Sequence, residues 1–189
     1  MAERTRWQRL AKRIRVPMGF LFAAVFLWLA RPSPALMLAS LALVAPGLWL
    51  RGYAAGYVRK NAELTTTGPY AYTRNPLYLG SMLIAFGFGA ASGNWLILGI
   101  LAALFAAIYI PTIQGEEDYL RTHFAGFAEY AARVPRLLPR LRAAQSNQHA
   151  GEFSRQLYLH HREYNSLMGA GAIYLALALK LEWWHLHHA

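Results

Sequence analysis

The chain alternates long stretches without any charged residue with short and strongly polar segments. Each charge-free stretch has about 15 to 19 residues, close to the roughly 20 that a helix needs to cross a bilayer. The helices of a soluble bundle would carry a polar stripe at 3.6-residue spacing, and runs such as LMLASLALVAPGLWL and WLILGILAALFAAIYI carry none. The pattern therefore predicts an all-α polytopic membrane protein with about five transmembrane helices, the first four at about 16–30, 34–50, 76–91 and 94–111.

The connections between these stretches predict where polar chemistry can gather. The turns RPSP and SGN are minimal, so the third and fourth spans should form a hairpin. Nearly all polar sequence falls in 51–75 and 114–163, next to the two ends of that hairpin. We therefore expect a core over 1–142, with its segment 114–142 at the membrane face, a polar linker at 143–152, and an interfacial helix plus a fifth span over 153–189.

The distribution of charge predicts the topology. The chain carries 19 basic and 9 acidic residues, and 17 of the basic ones precede the first span or lie between spans two and three or four and five. Cytoplasmic loops are enriched in Lys and Arg, so the N-terminus should be cytoplasmic and the C-terminus outside an inner or plasma membrane. The basic excess then indicates contact with anionic lipid rather than nucleic acid. Because cysteine is absent, disulfides and thiolate metal sites are excluded.

The stretch GPYAYTRNPLYLG, residues 68–80, places polar and aromatic residues directly before the third span. Two prolines disfavour helix at the residues before them, which predicts an extended loop over Gly68–Asn75, and Pro76 suits the first position of a helix. Arg74 at the membrane entry needs an anionic partner or a lipid headgroup. The side chain of Asn75 can cap the helix. An interfacial aromatic belt with a helix cap explains the stretch equally well.

A second polar stretch, GEEDYLRTHFAGFAEYAARVPRLLPRL over 115–141, follows the fourth span. It opens with Glu116, Glu117 and Asp118, which need cations beside an anionic membrane surface. Acidic residues that merely favour the start of a helix are the alternative. The adjacent His160 and His161 point to different helix faces, and the terminal HLHHA lies outside the membrane, so we predict no metal site.

Taken together, GPYxYxRNPxYxG before the hairpin and EExxL…F…EYxxxVPRxxP after it resemble the isoprenylcysteine carboxyl methyltransferase and phospholipid methyltransferase family of membrane enzymes. The resemblance covers about residues 51–142. It implies a small set of membrane helices with a pocket for S-adenosylmethionine at the cytoplasmic face, formed by the loop before the hairpin and the segment after it. It also implies S-adenosylhomocysteine as the product.

The resemblance carries over to individual positions of this chain. Arg74 and Glu117 are the implied catalytic residues. Asn75 stands where isoprenylcysteine methyltransferases usually have His, and the family's Phe-Gly pair is altered at Phe124-Ala125-Gly126. The implied cofactor-binding residues are Gly68, Pro69, Tyr70, Asn75, Pro76, Tyr78, Glu116, Glu117, Val134, Pro135 and Leu138.

The resemblance implies methyl transfer from S-adenosylmethionine to a lipophilic acceptor at the cytoplasmic membrane face, similar to that of isoprenylcysteine carboxyl methyltransferases. Methylation of an ethanolamine headgroup or of a small thiol remains an alternative, and a non-enzymatic membrane scaffold is an alternative of another class. The partners are then the membrane and a lipid or lipophilic acceptor. Small residues at Gly89 and Gly93 and at Ser166–Gly171 would also allow a homodimer.

Overall fold

The computed structural model describes residues 6–59, 62–144 and 151–188, and every regular element in these ranges is helical. The all-α prediction is therefore confirmed for the described chain. Arg4 and Lys60 of the basic set, and most of the predicted linker 143–152, lie outside the described residues. The elements are α1 Arg6–Leu29, α2 Pro34–Ala55, a 3₁₀ turn Gly68–Ala71, α3 Pro76–Ala91, α4 Trp95–Leu104, a π-helical segment Phe105–Tyr109, α5 Ile110–His123, α6 Phe127–Arg133, α7 Arg155–His160 and α8 Tyr164–His188.

Among the described residues, two helices are long and apolar enough by themselves to cross a membrane, whereas the sequence predicted about five spans. They are Pro34–Ala55 with 22 residues and Trp95–His123 with 29 residues, and Pro17–Leu29 and Pro76–Ala91 are shorter apolar helices. Helix α1 begins at Arg6, ten residues before the predicted start at 16, so its first turns are basic rather than apolar. The boundaries predicted for the second and third spans agree with the starts of α2 and α3.

The fourth helix continues well beyond its predicted end at 111. Pro111 has no N–H to donate to the carbonyl of Ala107. The chain widens into a π-helical segment immediately before it, where the Ile110 N–H donates to the Phe105 carbonyl. The helix then runs on to His123, so Glu116 and Glu117 lie within it and not at its start. The alternative that these acids serve the start of a helix is therefore wrong.

Glycines allow α2 and α3 to touch backbone to backbone. A Cβ placed at Gly47 would lie 2.8 Å from the Gly80 carbonyl oxygen and 3.0 Å from the Ile84 backbone nitrogen. Arg51 lies against Gly80 at this crossing, and further along α2 the Ser40 hydroxyl meets that of Tyr174 at 2.7 Å. The main apolar core joins α1, α2, α3, α4 and α8 through Phe26, Ala30, Val44, Phe88, Ala91, Ile97, Leu101, Ala170 and Leu177.

We expect Gly47→Ala to destabilise the protein by about 1–3 kcal/mol, because backbone atoms cannot move aside for the new methyl group. Gly99→Ala in α4 is the matched control, since a Cβ there meets nothing within 4 Å and alanine favours a helix. Thermal unfolding in detergent should show a lower midpoint for the first variant alone. Equal midpoints for both variants would contradict the close crossing.

Two of the glycines predicted to form a dimer face, Gly89 and Gly93, are used within the chain. A Cβ at Gly89 would come within 2.6 Å of Leu98, and one at Gly93 within 2.6 Å of the Arg31 carbonyl. Gly93 also has a φ of +63°, which the tight turn between α3 and α4 requires. Both residues therefore serve intrachain packing rather than an open surface.

The C-terminal segment packs against its own chain. The Phe153 ring stacks on Tyr53 with centroids 6.2 Å apart, and the Ser154 N–H donates to the Gly56 carbonyl at 2.9 Å. At the other end of α8, the Lys180 ammonium donates to carbonyls of the last turn of α1. The predicted interfacial helix is only the six residues of α7.

Candidate active site

The loop before α3 is a compact turn rather than the predicted extended loop. Gly68 begins the 3₁₀ turn with a φ of +58°, and a Cβ there would lie 2.5 Å from the Tyr57 ring. Pro69, at the first position, already has the φ that this turn needs. The Tyr130 hydroxyl donates to the Tyr70 carbonyl at 2.7 Å, which fixes the turn to α6. Gly68 and Pro69 thus determine the backbone conformation of the loop.

The segment after α6 lies along this loop and pairs with it through the backbone. The Arg74 N–H donates to the Pro135 carbonyl at 2.9 Å, and the Arg140 N–H donates to the Tyr72 carbonyl at 3.0 Å. The Thr73 hydroxyl donates to the Leu137 carbonyl at 3.0 Å. The VPRLLPRL sequence is thus a strap that holds residues 71–75 in place.

Arg74 finds its predicted anionic partner in Glu117. Its Nε donates to Glu117 Oε1 at 3.0 Å and its Nη2 to Oε2 at 3.2 Å, a two-point ion pair. Its Nη1 donates to the carbonyls of Ala131 and Val134 at 2.7 and 3.1 Å. The guanidinium is therefore engaged by protein on both sides, and it is not presented to a ligand as a single free cation.

Glu117 is held by three side chains at once. Besides Arg74, it receives an Arg136 Nη2 contact at 2.9 Å and an Asn75 Nδ2 bond at 3.1 Å, and its side chain is only 4% exposed. Asn75 occupies the cap position of α3, but its side chain makes no capping bond. The predicted cap is therefore wrong at the side chain, because the Asn75 amide binds Glu117 and the Arg136 carbonyl instead.

A cavity of about 570 Å³ opens above this ion-pair cluster, between the loop, α5 and α6. It contains seven of the predicted site residues: Tyr70, Arg74, Asn75, Pro76, Tyr78, Glu116 and Glu117. Five others lie elsewhere. Gly68 and Pro69 belong to the 3₁₀ turn but do not line the cavity, Val134 is buried in a small apolar core, Pro135 is in the strap, and Leu138 is 79% exposed. Val134, Pro135 and Leu138 therefore do not line this cavity, and their part in cofactor binding stays a prediction.

Sequence reasoning missed more than half of the cavity wall. The segment after α2 contributes five residues, of which the sequence analysis considered only Arg59, as one of the basic residues of a loop. Helix α6 contributes aromatic rings. The EYxxxVP spacing put Tyr130 one turn before the strap, which was the available signal for α6. The missed lining residues are Val58, Arg59, Glu63, Leu64, Thr65, Tyr119, Leu120, Phe127 and Tyr130.

The cavity combines a carboxylate rim with neutral aromatic walls. The Tyr78 hydroxyl donates to Glu116 Oε1 at 2.9 Å, and Glu116 is exposed. Glu63 lies on the same cavity, 3.6 Å from Arg59. Burial raises the pKa of both Tyr70 and Tyr130 above that of a free tyrosine, so these phenols stay protonated and uncharged. The arrangement suits a ligand that carries positive charge beside a flat, apolar ring.

The comparisons with known proteins agree with this geometry. The model of the phospholipid methyltransferase family matches residues 35–126. The chain is 30% identical over 103 residues to the protein-S-isoprenylcysteine O-methyltransferase of Schizosaccharomyces pombe, covering 54% of this chain and 44% of that protein. The resemblance predicted from the two motifs is thus confirmed, and residues 35–126 are the part of the chain that the family model matches.

Two bacterial relatives carry other names. The chain is 39% identical over 114 residues to the nickel-cobalt-cadmium resistance protein NccN of Alcaligenes xylosoxydans xylosoxydans, covering 58% of this chain and 53% of that protein. It is 42% identical over 94 residues to the cobalt-zinc-cadmium resistance protein CzcN of Cupriavidus metallidurans, covering 50% and 43%. The chain thus spans about half the length of the curated relatives it matches. No solved structure matches it significantly.

Proposed function

We propose that the protein transfers a methyl group from S-adenosylmethionine to a lipophilic acceptor at the cytoplasmic face of a membrane. The observation that supports this most is the 570 Å³ cavity that the two family motifs form together, with carboxylates at its rim and aromatic rings in its walls. Its volume lies within the roughly 300–1,000 Å³ that ligand pockets occupy. When bound there, the cofactor would supply an electrophilic methyl group on a sulfonium.

The residues present fit such a cofactor. Glu63 and Glu116 are carboxylates at the rim, which suit an ammonium and a sulfonium. Arg59 is the exposed cation of the same wall and suits a carboxylate. Tyr70, Tyr130 and the other aromatic residues offer faces for an adenine ring. In this proposal Arg74 and Glu117 hold the floor of the cavity in shape, a positioning role instead of the direct catalytic one that the sequence predicted.

The membrane arrangement is part of the proposal. We infer five spans formed by α1, α2, α3, the α4–α5 helix and α8, with the cavity on the cytoplasmic side. The two basic residues outside the cytoplasmic set support this, because Arg31 and Lys180 both lie at the opposite end of the bundle from the cavity. There the Arg31 N–H bonds the turn after α3, and Lys180 caps α1.

The acceptor class is proposed from the setting of the cavity. A water-soluble donor and a lipophilic acceptor can meet only at the membrane surface, which explains why the polar chemistry lies at the mouth of α3. An isoprenylcysteine-like carboxylate, an ethanolamine headgroup and a small thiol all remain acceptors to be tested. Within the described ranges no three His, Asp or Glu side chains come together as a metal site.

Calorimetric binding of S-adenosylhomocysteine to the purified protein tests the proposal. We expect micromolar binding that weakens about tenfold in Glu116→Gln, because an amide replaces the carboxylate that faces an ammonium. Glu129→Gln is the matched control, since Glu129 is an exposed acid on α6 that lies off the cavity. A folded wild-type protein that does not bind the ligand would overturn the proposal. Equal loss in both variants would show that only surface charge was measured.

A further inference from the structure

A second and larger cavity lies within the helical bundle. It measures about 700 Å³ and is walled by α1, α3, the π-helical segment and α8. Most of its lining is apolar, and it is open on one side. The apolar wall includes Phe22, Phe26, Ile84, Phe105, Ile108 and Ile173. Half of this wall belongs to elements outside residues 35–126, which the family model matches.

One end of this apolar cavity is polar and carries a guanidinium. Arg51, Ser81 and Ser166 line it together with Tyr109. Arg51 Nε donates to Ser166 Oγ at 3.2 Å, Nη1 donates to the Ser81 hydroxyl, and Nη1 also reaches the Leu77 carbonyl at 3.4 Å. The Arg51 side chain is only 23% exposed, so its guanidinium needs an anion, and no Asp or Glu lines the cavity.

The counter-ion comes from the other side of Arg51. Glu163, directly before α8, accepts from Arg51 Nη2 at 2.8 Å and from Nε at 3.0 Å, and its side chain is 11% exposed. Glu163 faces a different pocket and does not line the apolar cavity. The Ser81 and Ser166 hydroxyls donate to the Leu77 carbonyl and to Glu163. Seen from within the cavity, the polar end therefore presents a guanidinium whose counter-ion does not line the cavity, a surface complementary to an anionic head.

The polar end lies next to the first cavity. Leu77 lines the first cavity and its carbonyl faces Arg51, while Tyr78 of the first cavity makes an edge contact of 5.8 Å with Tyr109 of the second. The first turn of α3 is thus the partition between the two cavities. A head group held at Arg51 would lie across this turn from whatever the first cavity binds.

We propose that the apolar cavity binds a single-chain amphiphile with an anionic head, and that the C-terminal segment selects it. The head pairs with Arg51 in competition with Glu163, and the chain lies along the small residues of α8 that line the cavity, among them Gly169 and Ala172. Naming this occupant the methyl acceptor rests on the proposed function. Its binding does not, and can be measured alone.

The experiment compares two radiolabelled probes of equal chain length, dodecyl phosphate and dodecyltrimethylammonium, on the whole protein in phosphatidylcholine nanodiscs. Empty nanodiscs give the correction for partition into lipid. We expect saturable binding that favours dodecyl phosphate and that tightens about fivefold in Glu163→Gln, because the competing carboxylate is removed. The preference should vanish in the double variant Arg51→Gln/Glu163→Gln, which leaves no buried charge unpaired.

A matched pair of glycine variants locates the chain. A Cβ at Gly169 or at Gly171 meets nothing within 4 Å, but only Gly169 lines the cavity. Gly169→Leu should therefore weaken dodecyl phosphate binding about tenfold, and Gly171→Leu should leave it unchanged. Equal effects of the two leucines, or no preference between the probes, would overturn the inference. Calorimetry with S-adenosylhomocysteine on the same samples reports the first cavity separately, so the failure of one proposal is distinguishable from that of the other.

Discussion

Glu117→Ala is expected to destabilise the protein by about 3–5 kcal/mol, the usual cost of removing one partner from a buried ion pair. The Glu117 side chain is 4% exposed, and Arg74, with 12%, would keep its charge without an anion. Arg136 and Asn75 would lose the same partner. At about 2–4 °C per kcal/mol for a chain of this size, the unfolding midpoint should fall by at least about 6 °C.

The exposed ion pair between Arg133 and Glu129 provides the control for this prediction. Its atoms approach to 3.1 Å, as closely as those of the buried pair, but its side chains are 39% and 66% exposed. Pairs of this kind contribute about 0–1 kcal/mol, so Glu129→Gln should leave the midpoint nearly unchanged. If Glu117→Ala has the same unfolding midpoint as the wild type, the cluster does not hold the loop. The direct binding role first predicted for Glu117 would then be the better explanation.

The contacts of Glu117 depend on a feature of the fold that the sequence does not show. RNPLY and EE were predicted to lie together, and Arg74 and Glu117 do meet across 43 positions of the chain. Which of two neighbouring glutamates turns toward Arg74 depends on the phase of a helix that passes through a π-helical segment. That phase places Glu117 inward and Glu116 on Tyr78, and no local pattern encodes it.

The parts of the fold that could be predicted are those that a few neighbouring residues determine. A proline after a polar residue predicted the starts of α2 and α3, and Ser92-Gly93-Asn94 predicted the turn of the hairpin. The apolar cavity was not predictable, because it arises where α8 returns to lie beside α1 and the π-helical segment. Such tertiary packing depends on which helix faces meet, and uniformly apolar helices carry no periodic signal of their faces.

A second large effect is expected where stability and ligand binding share one residue. Phe127 is 1% exposed, belongs to the small apolar core with Leu64, Tyr130 and Val134, and also lines the first cavity. Phe127→Ala should cost about 3–5 kcal/mol through lost contacts and the void that remains. It also removes the ring that lies 5.6 Å from the Arg121 guanidinium. We therefore expect both a lower unfolding midpoint and weaker S-adenosylhomocysteine binding.

Phe127→Leu separates the two consequences, because a leucine refills much of the volume at a cost below about 1.5 kcal/mol but offers no ring to a flat ligand. If the ring itself contacts the ligand, Phe127→Leu unfolds near the wild type and still binds more weakly. If Phe127 acts only through the packing of the core, Phe127→Leu recovers both the stability and the S-adenosylhomocysteine affinity of the wild type. Phe20→Ala, in a side chain 75% exposed on α1, should change neither measurement. A Phe127→Ala protein with the stability and affinity of the wild type would contradict the packing of α6 against the first cavity.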